Sequence, residues 1–126
     1  MPGIDENATF YPLNIAVLTI SDTRDMESDT SGALLAERLL GAGHTLAARA
    51  IVRDDIAAIR SVLEPWIADE TAEIILTTGG TGLTPTDGTP EATRPLLDRE
   101  VPGLAEAIRA RGVAKGVPTA VLSRGL

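Results

Sequence analysis

The sequence predicts an α/β fold, a three-layer sandwich with a mostly parallel sheet covered by helices. Three observations carry that expectation. The run Asn14 to Ile20 is short and almost unbroken in aliphatic residues, the pattern of a strand buried on both faces, and Glu73 to Thr78 reads as another buried strand. Stretches with apolar residues at helical spacing separate the strand-like runs, and such alternation implies parallel strands joined by right-handed crossovers. The chain is 44% hydrophobic but holds only one Phe, one Tyr and one Trp, so its core must be built from Ile, Leu, Val and Ala.

The elements follow in order. Asn14 to Ile20 is the first strand, and the polar stretch Ser21 to Thr30 leads into a helix over Ser31 to Leu40. There Ala33, Ala36 and Leu40 recur at helical spacing, and Gly41 and Gly43 are expected to end the helix. Thr45 to Val52 reads as a second strand, less apolar and so nearer an edge. From Ile56, the residues Ile59, Leu63 and Ile67 continue one helical face, which Pro65 should kink or cut short. Glu73 to Thr78 is the third strand. A helix is expected at Thr89-Pro90, with the Thr89 hydroxyl as N-cap and proline at N1, and another over Gly103 to Arg111. No repeat, low-complexity tract or linker divides the 126 residues, which match the size of one domain.

Charge narrows the function. Eighteen acidic residues face 11 basic ones and Lys115 is the single lysine, which leaves no basic stripe for a nucleic acid backbone. No apolar run nears the roughly 18 residues that span a bilayer, and the start from Met1 to Leu13 is neither basic nor long enough for an export signal, so a cytoplasmic protein without membrane partners is expected. Zero cysteines rule out disulfides, thiolate nucleophiles and cysteine-ligated metals. The one histidine, His44, falls at the strand edge opposite the polar clusters, which argues against a Ser-His-Asp triad.

In a parallel sheet the carboxyl ends of the strands share one edge, and ligands bind there. Ser21-Asp22, Asp54-Asp55 and the loop Thr77-Thr78-Gly79-Gly80-Thr81-Gly82 each follow a strand end. They are expected to converge. Gly79, Gly80 and Gly82 can adopt positive φ and turn successive N–H groups toward an anion, with Thr78 and Thr81 hydroxyls as further donors. A side chain at Gly80 should then fill phosphate space. The alternative reading is a tight strand-to-helix turn. The P-loop and dinucleotide fingerprints are both absent. Carboxylates Asp54 and Asp87 beside phosphates would cost about 4 kcal/mol per like-charge pair at 4 Å and an effective dielectric near 20. A helix N-terminus offsets only about 0.3–1 kcal/mol. With one lysine available, Mg²⁺ shared between carboxylate and phosphate oxygens resolves the conflict. Asp54 could equally be a helix N-cap, Asp87 a cap or turn residue, and Asp29-Thr30-Ser31-Gly32 either a cap or a second anion site.

Taken together, ISDTRDMESDTSG (Ile20 to Gly32), ILTTGGTGLTPTDGTPEAT (Ile75 to Thr93), VPGLAEAIR (Val101 to Arg109) and VPTAVLSRG (Val117 to Gly125) resemble the MoaB/MogA family of molybdenum cofactor biosynthesis proteins. Domains of gephyrin and of the plant Cnx proteins are similar. The resemblance implies the fold of that family over residues 13–126, an N-terminal extension at 1–12, and a C-terminal part of the family domain that this chain lacks. It implies molybdopterin adenylyltransferase activity, in which the terminal phosphate of molybdopterin attacks the α-phosphorus of Mg-ATP and pyrophosphate leaves. No protein nucleophile is needed, so positioning and electrostatics must carry the reaction. Carried over, Gly79, Gly80, Thr81 and Gly82 cradle the nucleotide, Asp54 and Asp87 are the catalytic and Mg²⁺-linked carboxylates, and Ser21, Asp22 and Ser123 contact molybdopterin. Assembly as a homotrimer or homohexamer is implied as well. Two other readings stand beside it: a non-catalytic molybdopterin-binding or scaffold protein of the MoaB branch, and a MoeA- or CinA-related domain.

Overall fold

A computed structural model describes residues 7–126, so the first half of the expected N-terminal extension lies outside the described residues. The chain forms β1 (Asn14–Ile20), α1 (Thr30–Gly41), β2 (Thr45–Val52), α2 (Ile56–Ala68), β3 (Ile74–Thr78), α3 (Thr89–Thr93) and α4 (Pro102–Ala114), with short 3-10 segments at Arg94–Leu96 and Pro118–Leu122. The three strands are parallel in the order β2-β1-β3. β2 is therefore an edge strand, as its weaker apolar character suggested, and so is β3, which was expected to be buried but holds no buried residue because only β1 has a neighbour on each side. In β2 the register slips at Ala47, because Ile15 pairs with Leu46 while Ala16 pairs with Ala48.

Alternation along β1 builds two apolar layers. Ile15 and Val17 pack with Leu39 of α1, and Leu35, Leu46 and Leu76 extend that cluster. Leu18 and Ile20 turn to the other face, where they meet Ile59 and Leu63 of α2 and Ala92 of α3. Leu18, Ile59 and Val17 are fully buried, each contributing about 1.5–3 kcal/mol of transfer free energy. Helices thus cover both faces of the sheet. No helix among the described residues is long and apolar enough to cross a membrane.

α1 ends as expected, with Gly41 its last residue, Ala42 its C-cap and Gly43 at φ 91° reversing the chain beyond it. Three expectations need correction. Pro65 does not shorten α2, which continues through it to Ala68 without the bond that an N–H at position 65 would give to the Ser61 carbonyl. Thr89 is the first residue of α3 and not its cap; Gly88 holds the cap position without a side-chain bond, and the Thr89 hydroxyl is used elsewhere. α4 extends three residues past Arg111, because Gly112 does not interrupt it.

The connectivity creates a switch point. From β1 the chain moves to β2 on one side, and from there to β3 on the other, which opens a crevice beyond the carboxyl ends of β1 and β3. Ser21 and the glycine loop leave those two strand ends.

Candidate functional site

Two aspartates tie the strand ends together. Asp22 Oδ1 accepts the N–H of Asp54 at 3.0 Å, and Asp54 Oδ1 accepts the N–H of Gly88 at 3.0 Å. The segments after β1 and β2 and the segment entering α3 are thereby linked, and the expected convergence is present. Asp54 is not the cap of α2. That role belongs to Asp55, whose carboxylate accepts from Ala58 N–H at 2.9 Å. Ser21 Oγ accepts from the N–H groups of Thr23 and Arg24 at 3.3 and 3.2 Å, shaping the loop that carries Asp22.

The glycine loop is pressed against β1. Gly79 and Gly80 have φ of 95° and 65°. A Cβ on Gly79 would overlap the Ile20 carbonyl oxygen, and one on Gly80 would meet Thr89 Oγ1 and come within 3.1 Å of Asp54 Oδ2 and Ile20 Cγ2. A Gly80 side chain would therefore strike the protein itself rather than fill ligand space, which corrects the expectation that it would occupy the place of a phosphate. A Cβ on Gly82 would stand 2.6 Å from Asp87 Oδ2. Asp54 and Asp87 thus flank the loop at Gly80 and Gly82. The loop carbonyls are engaged, since Gly79 O accepts from Thr89 Oγ1 at 2.9 Å and Gly80 O from Thr89 N–H at 3.0 Å. The N–H groups of Gly80, Thr81 and Gly82 donate to no acceptor among the described residues.

Asp87 closes a tight turn and caps no helix. Its Oδ2 accepts from Thr84 Oγ1 at 2.6 Å and Thr84 N–H at 2.9 Å. The Thr84 hydroxyl and then the Thr84 amide hold the Asp87 carboxyl below its ordinary range, outweighing desolvation, with a lesser contribution from the charge of Arg124. It is ionised at neutral pH. Ser123 Oγ lies 3.3 Å from Thr81 Oγ1, which brings the C-terminal segment onto the loop.

The N-terminus of α1 is filled from within. Asp29 Oδ1 accepts from Gly32 N–H at 3.0 Å, while Oδ2 accepts from Thr19 Oγ1 at 2.8 Å and pairs with Arg49 at 3.1 Å. Capping is the observed role of that motif, and the protein's own carboxylate stands where an anion would. Burial alone would raise the Asp29 pKa, but the bonds from Gly32, Thr19 and Arg49 outweigh it and hold the carboxyl below its ordinary value. His44 also has a packing role, its Nδ1 accepting from Leu13 N–H at 3.0 Å beside the Phe10 ring.

The site residues divide between two hollows. A cavity of about 590 Å³ lies between α2, β3 and α4, its lining mostly aliphatic but including Thr78, Gly79, Thr81, Thr89, Arg109 and Ser123. Its size falls within the roughly 300–1,000 Å³ of small-molecule sites. A shallower hollow of about 480 Å³ along β2 includes Ser21, Asp22, Arg24 and Arg49. Ser123 and the Ser21-Asp22 pair therefore line different hollows. Asp54, Gly80 and Asp87 line neither.

Among the described residues no group of three or more His, Cys, Asp or Glu side chains could enclose a metal ion. Mg²⁺ in nucleotide sites needs less, one or two carboxylates with phosphate oxygens and water. Asp54 beside Gly80 and Asp87 beside Gly82, on a loop whose N–H groups find no acceptor among the described residues, fit that donor set.

Sequence reasoning gave no site role to Arg124 or Arg109, and it foresaw neither the bond of Thr89 to Gly79 O nor the pairing of Asp29 with Arg49. Arg124 bonds Gly82 O, Asp87 O and Glu91 at once. Its place beside Ser123 in the VLSRG segment was the available signal.

A family model for a probable molybdopterin binding domain matches residues 16–125. Molybdenum cofactor biosynthesis protein B of Escherichia coli K12 is 47% identical over 100 residues, covering 79% of this chain and 59% of that protein. The chain thus spans less than two thirds of that relative's length. Among solved structures, a molybdopterin biosynthesis protein from Mycobacterium abscessus superposes with a TM-score of 0.81 at 40% identity, over 90% of this chain and 72% of that one. The molybdopterin biosynthesis enzyme MoaB from Thermus thermophilus gives 0.79 at 46% identity over the same shares.

Proposed function

The chain belongs to the probable molybdopterin binding domain family, and on that premise we propose that it acts in molybdenum cofactor biosynthesis, binding molybdopterin and Mg-ATP and transferring AMP to the molybdopterin phosphate. The observation that carries this reading is the loop Gly79 to Gly82, whose N–H groups from Gly80 to Gly82 find no acceptor among the described residues, with Asp54 beside Gly80 and Asp87 beside Gly82. In the proposed reaction a terminal phosphate oxygen of molybdopterin forms a bond to the α-phosphorus of ATP. The bond from that phosphorus to the bridging oxygen breaks, and pyrophosphate leaves with the electron pair.

The chain's own part is to bind and orient. The N–H groups of Gly80, Thr81 and Gly82, with the Thr81 hydroxyl, would hold phosphate oxygens; being preformed, they need no reorganisation as charge shifts during transfer. Asp54 and Asp87 would hold Mg²⁺, which when bound neutralises phosphate charge. Asp22 supports Asp54 through its backbone N–H. Ser21, Asp22 and Ser123 are proposed to contact molybdopterin, the first two from the β2 side and Ser123 from the β3 side. Residues 13–126 would form the family domain.

Calorimetric titration with ATP, with Mg²⁺ and then with EDTA, tests the nucleotide site. Binding that requires Mg²⁺ is the expected result. Undiminished affinity in EDTA would contradict the role given to Asp54 and Asp87.

A further inference from the structure

A peptide unit is planar and trans, so anchoring its C=O fixes its N–H on the opposite side. Along the glycine loop every carbonyl from Gly79 to Gly82 is anchored, and by two residues only. Thr89 Oγ1 donates to Gly79 O at 2.9 Å and Thr89 N–H to Gly80 O at 3.0 Å. Arg124 N–H donates to Thr81 O at 2.9 Å and Arg124 Nε to Gly82 O at 2.8 Å. The opposite ends of those peptides are the N–H groups of Gly80, Thr81, Gly82 and Leu83, none of which donates to an acceptor among the described residues.

From this geometry we infer that Thr89 and Arg124 are positioning residues that hold the four loop N–H groups toward a phosphate-bearing ligand, while neither need touch that ligand. The inference rests on the nucleotide reading and extends it to these two residues. Without them the peptides of Gly79 and Gly80 are free to flip, since glycine tolerates both orientations. A flipped peptide turns a carbonyl oxygen toward a phosphate.

Arg124 is itself well placed for the task. Its Nη2 donates to Asp87 O and its Nη1 to Glu91, each at 2.6 Å, so one planar guanidinium spans the loop, the Asp87 turn and α3. Arg109 of α4 donates to Ser123 O at 3.1 Å and Gly125 O at 3.2 Å, fixing the backbone on both sides of Arg124. A lysine offers a single ammonium point and cannot reproduce this fork. Thr89 is buried, and its position depends on α3, whose first residue it is.

The test measures Mg-ATP affinity by calorimetry and thermal midpoint for wild type, Thr89→Val, Thr89→Ser, Arg124→Ala and Arg124→Lys. Thr89→Val and Arg124→Ala should weaken Mg-ATP by at least about tenfold, as displaced ligand-orienting groups do. Thr89→Ser keeps the hydroxyl and should bind within about threefold of wild type. Rescue by serine separates hydroxyl anchoring from packing, because serine loses the methyl group that valine retains. If Arg124→Ala does not fold, Arg124→Lys keeps the stem and charge and should still bind more weakly than wild type. Folded Thr89→Val and Arg124→Lys variants with wild-type affinity would overturn the inference while leaving the nucleotide reading intact. A wild-type protein that binds no Mg-ATP would overturn that reading, and the inference with it.

Discussion

Asp87 holds a turn through Thr84 and is proposed to hold Mg²⁺ against phosphates, and one substitution separates the two roles. Asparagine keeps the shape and an accepting oxygen but loses the charge. In Asp87→Asn the thermal midpoint should change little, while single-turnover adenylylation falls by at least about a hundredfold, the scale of a lost electrostatic contribution. Wild-type turnover in that variant would remove Asp87 from the mechanism. Asp29 presents the converse case, a buried carboxylate serving stability alone. Removing it in Asp29→Ala leaves Arg49 without its charge partner and α1 without its cap, a loss of about 3–5 kcal/mol in urea unfolding at pH 7. Because its folded pKa is depressed, its stabilisation is complete above the unfolded value near 4 and is lost as pH falls through the lower folded value. Wild type should therefore lose stability below about pH 4 more steeply than Asp29→Ala; equal slopes would refute the assignment. Residue roles were only partly legible in the sequence. Asp54 and Asp55 are adjacent acids, and only the structure shows that the second caps α2 while the first bonds Gly88. Arg49 and Arg124 pair with groups 20 and 37 residues away, contacts that leave no local spacing to read.

At the scale of elements, β1 was legible because burial on both faces writes itself as an aliphatic run; β1 and β2 have the expected limits, and β3, expected to be a buried strand, holds no buried residue and starts one residue later. Helix ends were less so, since caps depend on which nearby oxygen the fold brings into place. Thr89 is the clearest example, its hydroxyl drawn away from capping by Gly79 O. Glycines test the same distinction. Gly41 ends α1 with open space around it, nothing lying within 4 Å of where an added methyl group would stand, whereas Gly79 combines positive φ with direct contact on the Ile20 carbonyl. Gly41→Ala should raise stability by about 0.4–1 kcal/mol through the unfolded chain. Gly79→Ala should lower it by at least about 1–3 kcal/mol from backbone strain alone. Thermal unfolding of the pair checks both signs, and a neutral Gly79→Ala would show the loop to be less closely packed than described.

For the whole molecule, the polar clusters after β1, β2 and β3 could be foreseen to meet because parallel strands share a carboxyl edge. Their division between two hollows could not, since it depends on how α3, α4 and the C-terminal segment settle over β3. Association into a homotrimer or homohexamer is expected from the family resemblance. Light scattering should then give three or six times the 13.1 kDa chain mass, and a monomer at micromolar concentration would contradict it. α4 buries none of its residues and exposes Leu104 and Ile108, apolar surface of the kind that association covers. The central claim is adenylyl transfer, and incubation of the protein with molybdopterin and Mg-ATP, followed by separation of the pterin products, tests it most directly. Adenylylated molybdopterin with stoichiometric pyrophosphate is the expected result. Tight molybdopterin binding without that product would contradict the claim and mark the protein as a binding module.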